Sequence, residues 1–533
     1  MMKATRVGDV IGNSTRLRRI EIYEFFNYID EDDEDDDDYN PFDRLRDFFR
    51  GLVRNRSIEH FALLDISFPW NPFERLSPFF EHNHNLRCIE LVYIDLPEFF
   101  ESFLTTISSI EKSQLERVVL NTNSLGSNEM ARFIQALHEH FNLMDLEISD
   151  NVIDRQVFQE LARLFSCPAS KIYRLRLTDS ATRSHPFIND DCITILSSSL
   201  IVSKSIKALE FNCSNNISRA GWHLFSGVLC SPICLLERLT IEEADLDDNV
   251  ITVWGHSLLA SKSLVYLKIG LGSNSRVTSA GWSGFSRCLR SPTSTLLELD
   301  VSCCRIVDAG AIEIADALAN NSTLKKFTML NNDRITAAGW VSFFNRLINS
   351  SCSLEELDLG HANINNQGAA KLVKLLASMT TLRVLCLSSN NITPNGWCAF
   401  ARGLRTRSDG TRSQLKELRV SGNDNMNEEA INSFARMLKT NTSLTNLRIY
   451  NGPLHNMTLK AFISVLGYRS SIEKTYLSNH TLHTLTFSNS YGIPTMLARL
   501  LEINRNENKS AIACKKIIAY HFSSEKVDIQ VFT

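Results

Sequence analysis

The feature that most limits how this chain can fold is a self-similarity. "LERVVLNTNSL" from Leu115, "LLELDVSCCRI" from Leu296, "LEELDLGHANI" from Leu354 and "LRVLCLSSNNI" from Leu382 share one pattern, L-x-x-L-x-L, then an Asn, Cys or small position and a further aliphatic one. The first apolar position of each unit falls at Leu17, Ile58, Leu86, Leu115, Leu143, Ile172, Ile206, Leu236, Leu264, Leu296, Leu324, Leu354, Leu382, Leu415, Leu444 and Ile472, most of them 28 to 30 residues apart. A module of that length cannot bury its own apolar face, so the modules must stack and share a core. A chain of 533 residues exceeds the roughly 250 to 300 at which one closed core stops growing, and a stacked array escapes that limit.

Between the short strand motifs, "AIEIADALANNSTL" (311–324) and "GAAKLVKLLASMTTL" (368–382) place apolar residues at three- and four-residue spacing, the signature of a helix with one buried face. A strand and a helix in every unit predict an α/β fold: a curved leucine-rich-repeat solenoid, or horseshoe, with an inner parallel sheet, outer helices and about 16 repeats. The array is expected over 1–482, with the acidic run 30–38 as a loop inserted in the first repeat. Residues 483–533, with "IPTMLARLLEINRN" and "SAIACKKIIAYHF", are expected as a C-terminal helical cap over the open edge.

Four units carry a Gly-Trp pair: "NISRAGW", "RVTSAGW", "RITAAGW" and "NITPNGW", whose Trp222, Trp282, Trp340 and Trp397 are separated by 60, 58 and 57 residues. With Ser218, Thr278, Thr336 and Thr393 as helix N-caps, the aliphatic residue before each cap and the Trp at the fourth helical position form a hydrophobic staple. Pro394 then opens its helix, where a missing N–H costs nothing. "IVDAGA" (306–311) and "INNQGA" (364–369) keep the Gly but put Ala where the Trp stands. Large and small residues therefore alternate, as close packing favours, and the indoles are expected inside.

The alternation of unit lengths, the A-G-x near each helix start and "S-L-x-x-L-x-L" entering the next strand resemble the ribonuclease-inhibitor type of leucine-rich repeat, strongly over 206–450 and in degenerate form from about 17 to 482. The resemblance implies the fold described above and does not single out a function, because this repeat type occurs in ribonuclease inhibitor, Ran GTPase-activating protein and the sensor halves of NOD-like receptors. The chain departs from each. It has far fewer cysteines than ribonuclease inhibitor, no phosphate-binding loop, and its acidic run is N-terminal, within the first repeat, instead of following the repeats.

Net charge is −4, of which Asp30–Asp38 contribute −9, so the remainder stands at +5. That is too mild for a nucleic-acid footprint. The first twenty residues lack a signal-peptide core, and no stretch approaches the ~18 apolar residues of a membrane span. The 13 cysteines are odd in number and irregularly spaced, which fits reduced thiols. A cytoplasmic protein is expected, with the nucleus as the other compartment that fits. The insertions at 179–192 and 402–416, the second with five basic residues, are expected as rim loops.

The sequence offers no catalytic frame: there is no H-E-x-x-H, and "CSPIC" (230–234) lacks the second pair of a zinc site. Cys303 and Cys304 face opposite sides of their strand, Cys304 at the Asn/Cys position of the motif. No cofactor, no metal and no enzymatic activity are expected. Strand residues lying between the core leucines point to the concave side. These include Arg174, Arg176, Arg238, Glu242, Tyr266, Lys268, Glu298, Asp300, Lys326, Glu356, Asp358, Glu417, Arg419, Arg448 and Tyr450. Mixed signs with Tyr suit a protein surface better than a phosphate backbone. The expected function is a non-enzymatic protein-interaction module or scaffold, a monomer taking a protein partner on its concave face or rim loops. The partner's identity is not encoded in these patterns, and neither nucleic acid nor membrane is expected. The alternative is a regulator acting in trans, a small-GTPase activator or a substrate-recruiting subunit of a ligase.

Overall fold

Two residues after all but the last apolar start the backbone extends, because alternating aliphatic residues can bury one side of a strand while polar ones face out. The computed structural model describes residues 9–23, 41–68, 70–112, 114–179, 188–213, 216–272, 276–405, 413–423, 426–449, 456–467, 471–487, 495–505 and 508–522. The strands are β1 Arg19–Tyr23, β2 His60–Ile66, β3 Cys88–Ile94, β4 Arg117–Asn121, β5 Asp145–Ser149, β6 Arg174–Asp179, β7 Ala208–Cys213 and β8 Arg238–Ala244. They continue with β9 Tyr266–Leu271, β10 Glu298–Asp300, β11 Lys326–Thr328, β12 Glu356–Asp358, β13 Val384–Cys386, β14 Glu417–Arg419, β15 Asn446–Ile449 and β16 Thr484–Phe487. All sixteen follow chain order in one sheet, paired in parallel, for example Arg117↔Asp145 and Lys326↔Glu356. A helix follows most strands, the αβ solenoid that the repeat predicts.

Fifteen of the sixteen expected starts precede a strand by two residues. The last does not. Residues Ile472–Tyr476 form a short helix, Ile472 is exposed, and the final strand follows Leu482 in "LHTLTF". Leu482 and Leu485 are buried there, so the apolar alternation of 482–487, not the lone Ile472, marks the true sixteenth unit. The segment expected as a helical cap thus opens with β16, and the helices Thr495–Ile503 and Lys509–Ile517 follow. Among the described residues no helix is long and apolar enough to cross a membrane.

The chain divides into two compact units: Met1–Leu246 with Ala260–Leu267 and Gly272–Ser275, and Asp247–Leu259 with Lys268–Leu271 and Arg276–Thr533. Phenylalanines fill the core at the start of the first, where Phe61 meets Phe79 and Phe80 with ring centroids 5.5 and 5.3 Å apart. In the second the indoles dominate. Trp282, Trp340 and Trp397, like Trp222 of the first, are almost wholly enclosed, as the staple position predicts. Ser218, Thr278, Thr336 and Thr393 are the N-caps of their helices, their hydroxyls accepting first-turn N–H groups.

A partner to those caps was not evident from the motif. The first residue of the preceding helix, Asp190, Asp248, Asp308 or Asn366, accepts the backbone N–H of the next cap and also contacts its hydroxyl. In the Asp308–Thr336 pair these bonds measure 2.7 and 2.6 Å. The same oxygen occupies the place where a Cβ on Gly221, Gly281, Gly339 or Gly396 would project, which explains the Gly at the third helical position. Gly339→Ala is therefore expected to lower the denaturation midpoint at a cost of about 1 to 3 kcal/mol, because Asp308 must leave both its bonds to make room. A double-mutant cycle with Asp308→Ala should show less than additive loss. Full additivity would mean that the two residues do not touch.

Candidate protein-interaction face

The strand register sorts the residues on the side of the sheet opposite the core leucines into two columns. In the first unit Arg19, His60, Cys88, Arg117, Asp145, Arg174, Ala208 and Arg238 succeed one another at the first strand position. Glu21, Ala62, Glu90, Val119, Glu147, Arg176, Glu210 and Thr240 do so at the third. In the second unit the columns run Glu298, Lys326, Glu356, Val384, Glu417, Asn446, Thr484 and Asp300, Thr328, Asp358, Cys386, Arg419, Arg448, Thr486. Leucine, isoleucine or phenylalanine at the second position, as in Leu175, Leu299 and Leu357, is buried behind them.

Every expected face residue that lies among the described ones falls in these columns or in β9, except Glu242, which stands at the fifth position of β8 opposite Asn212. Most are already paired. Arg176 bridges Glu147 and Glu210, the latter at 2.7 Å, and Arg174 also bonds Glu210, with Nε 3.0 Å from Oε1. Burial alone would raise the Glu210 carboxyl, but hydrogen bonds from Arg176 and Arg174 hold it below its ordinary value. Burial works against the Arg176 charge, which Glu210 and Glu147 more than restore. In the second unit Lys326 meets Glu356 at 3.2 Å, Arg419 meets Glu417 at 2.7 Å, and Arg448 meets Glu417 at 3.2 Å. Glu417 is likewise pushed up by burial and brought below its ordinary value by Arg419.

Asp300 and Asp358 serve their own turns, accepting the N–H of Ser302 at 2.9 Å and of Gly360 at 3.0 Å. Tyr266 lies under the Arg238 guanidinium, 3.9 Å from ring centroid to Cζ, a cation–π contact, and Lys268 is half-buried. Tyr450 is outside the described residues, as are the acidic run 30–38 and residues 180–187 and 406–412 of the two insertions. Sequence reasoning missed the N-terminal part of the columns, namely His60, Cys88, Glu90, Arg117, Asp145 and Glu147. The signal was present, since each stands at the same motif position as Arg174 or Arg176, in units whose leucine pattern is weaker.

The buried thiols Cys88, Cys192 and Cys288 are poor nucleophiles. Burial raises Cys88 and Cys288 to about 12 and Cys192 to about 11, whereas a reactive cysteine needs a lowered value. Cys304 sits at the expected inward motif position, its Sγ 3.0 Å from the Ile269 carbonyl, while Cys303 is exposed. Cys234 of "CSPIC" is buried and Cys230 exposed. The twelve cysteines with described side chains are all free.

The face and its repeats match known proteins in one respect consistently, the repeat itself. The family model described as Leucine Rich repeat matches residues 294–315, 350–373 and 378–401. The chain is 26% identical over 240 residues to NACHT, LRR and PYD domains-containing protein 4E of Mus musculus, 45% of this chain and 24% of that protein, so it spans about a quarter of that relative's length. It is 24% identical over 351 residues to ribonuclease inhibitor of Sus scrofa, 66% of this chain and 71% of the inhibitor. Among solved structures, the crystal structure of the Rad7 and Elc1 complex in yeast aligns with a TM-score of 0.41 at 16% identity, covering 77% of this chain and 84% of that one. That likeness is too low to inform a functional reading.

Proposed function

Because the chain is a leucine-rich-repeat protein of the ribonuclease-inhibitor type, we propose that it is a non-enzymatic binding module whose partner is a protein held on the outward strand face or the rim loops. The supporting observation is the pair of columns of half-buried charge, in which acids and bases already neutralise one another. Such a face has no single-signed field to attract a phosphate backbone. Its fixed pattern of donors and acceptors rewards a surface carrying the complementary pattern, which is how charge confers specificity on protein interfaces. Tyr and Arg, the residue types that most often dominate interface energies, are both on it. Free thiols in the described cysteines support a reducing compartment, the cytoplasm.

Partner capture from the cell's own extract, followed by affinity measurement with the purified pair, tests this reading. Tyr266→Ala and Arg448→Ala, made separately, should each weaken binding, the half-buried Tyr266 by ~10-fold or more and the more exposed Arg448 by less. Unchanged affinity in both would remove the strand face from consideration. Added to a panel of small GTPases, the protein should leave hydrolysis rates unchanged; acceleration would favour a regulator acting in trans.

A further inference from the structure

Three side chains near the start of the first unit bring different ligand atoms to one point. His60 and Cys88 are direct cross-strand neighbours on β2 and β3, and Glu90 stands two residues beyond Cys88 on the same face. We propose that His60, Cys88 and Glu90 form a binding site for a divalent cation of zinc's class, coordinated by the imidazole Nε2, the thiolate and one carboxylate oxygen.

The geometry is close to what the ion demands. Tetrahedral zinc, with bonds near 2.0 to 2.3 Å, holds its ligand atoms about 3.3 to 3.6 Å apart. Here Nε2 lies 3.3 Å from a Glu90 oxygen, Sγ lies 3.9 Å from the other, and all the candidate ligand atoms are within 4.8 Å of one another. A small rotation of two side chains closes the remainder. His60 Nε2 is shielded from solvent and faces the Glu90 carboxylate at 3.3 Å without full hydrogen-bond alignment. One nitrogen, one sulfur and one oxygen suit a borderline-soft ion. Three protein ligands leave the fourth position for water or a group from a partner.

The neighbouring cations do not block the ion. Arg19 is engaged by Glu21. Arg117 reaches Glu90 at 3.5 Å but also meets Asp145 at 3.7 Å and Glu147 at 3.5 Å, so it keeps two carboxylates when Glu90 turns to the metal. On binding, the Cys88 S–H bond breaks, a metal–sulfur bond forms, and the proton leaves to solvent. The ligand is the thiolate and not the thiol, so affinity should rise with pH as that proton is released more readily.

Titration of the full chain with Co²⁺, then displacement by Zn²⁺, tests the site. The expected result is one equivalent bound with a thiolate-to-cobalt charge-transfer band. Cys88→Ser abolishes the band, and His60→Ala weakens Zn²⁺ binding by more than the roughly 10- to 100-fold typical of losing an outer-shell partner. Arg117→Gln, which frees Glu90, tightens binding, an effect that structural damage would not produce. The band persists when the exposed Cys167, Cys230, Cys303 and Cys514 are all changed to Ser. Absence of a band in the parent, its survival in Cys88→Ser with an unaltered circular-dichroism spectrum, or its loss in the quadruple variant would overturn the proposal.

Discussion

Trp340→Ala is expected to destabilise the protein by about 3 to 5 kcal/mol, the cost of emptying a large aromatic site in a packed core. The indole is fully enclosed, with ring centroids 5.5 Å from Phe343 and 5.7 Å from Phe344. Its N–H donates to the Ala362 carbonyl at 2.7 Å, so truncation also strands a buried acceptor. Trp340→Phe, which keeps a ring but not the hydrogen bond, should cost less. Because units interact mainly with neighbours, the loss is local and the guanidinium transition should broaden as flanking units uncouple. Midpoints equal to the parent's would place the indole outside the core and undo the staple assignment.

Lys516→Met should change how stability depends on pH. The Lys516 side chain is wholly buried, its Nζ 2.6 Å from the Leu466 carbonyl, 2.7 Å from that of Asn479 and 3.2 Å from His480 Nδ1. Burial lowers its pKa to about 7, whereas the unfolded chain keeps the ordinary value near 10.4. Between those values the unfolded state holds a proton that the folded state has released, so folding grows more favourable as pH rises, by about 1.4 kcal/mol per pH unit. Below pH about 7 both states are protonated and the contribution is flat at its least favourable level. Denaturation midpoints at pH 7, 8 and 9 should therefore rise for the parent relative to the variant, which lacks the group. Parallel trends would mean that Lys516 titrates normally and is hydrated.

The strands, the caps and the indole positions were legible because each follows from residue type at a fixed motif offset. Ile472 misled for the same reason in reverse: an isolated aliphatic residue at the right distance mimicked a start, while "LHTLTF" ten residues on carried the real alternation. The two face columns were legible in outline, since period two assigns Arg174 and Asp358 to one side. Their pairing was not. Arg174 meets Glu210 across 36 residues, and Asp308 meets the Thr336 cap across 28, distances at which only the register decides which side chains coincide. Lys516, in a helix with basic neighbours, gives no sign in sequence that its amine is enclosed by carbonyls.

The bond from the opening Asp190, Asp248, Asp308 or Asn366 to the next helix's hydroxyl has a consequence for how such a chain changes length. One coil supplies the acceptor and its successor supplies the hydroxyl and the indole; where the coil after the indole carries a glycine-alanine step, the two meet, as Trp282 does with Gly310. Deleting a single coil would set indole against indole and leave an acceptor facing no hydroxyl. Between Trp222 and Trp397 the packing repeat is therefore a doublet of 57 to 60 residues, and that stretch keeps these contacts when it is lengthened or shortened by whole doublets.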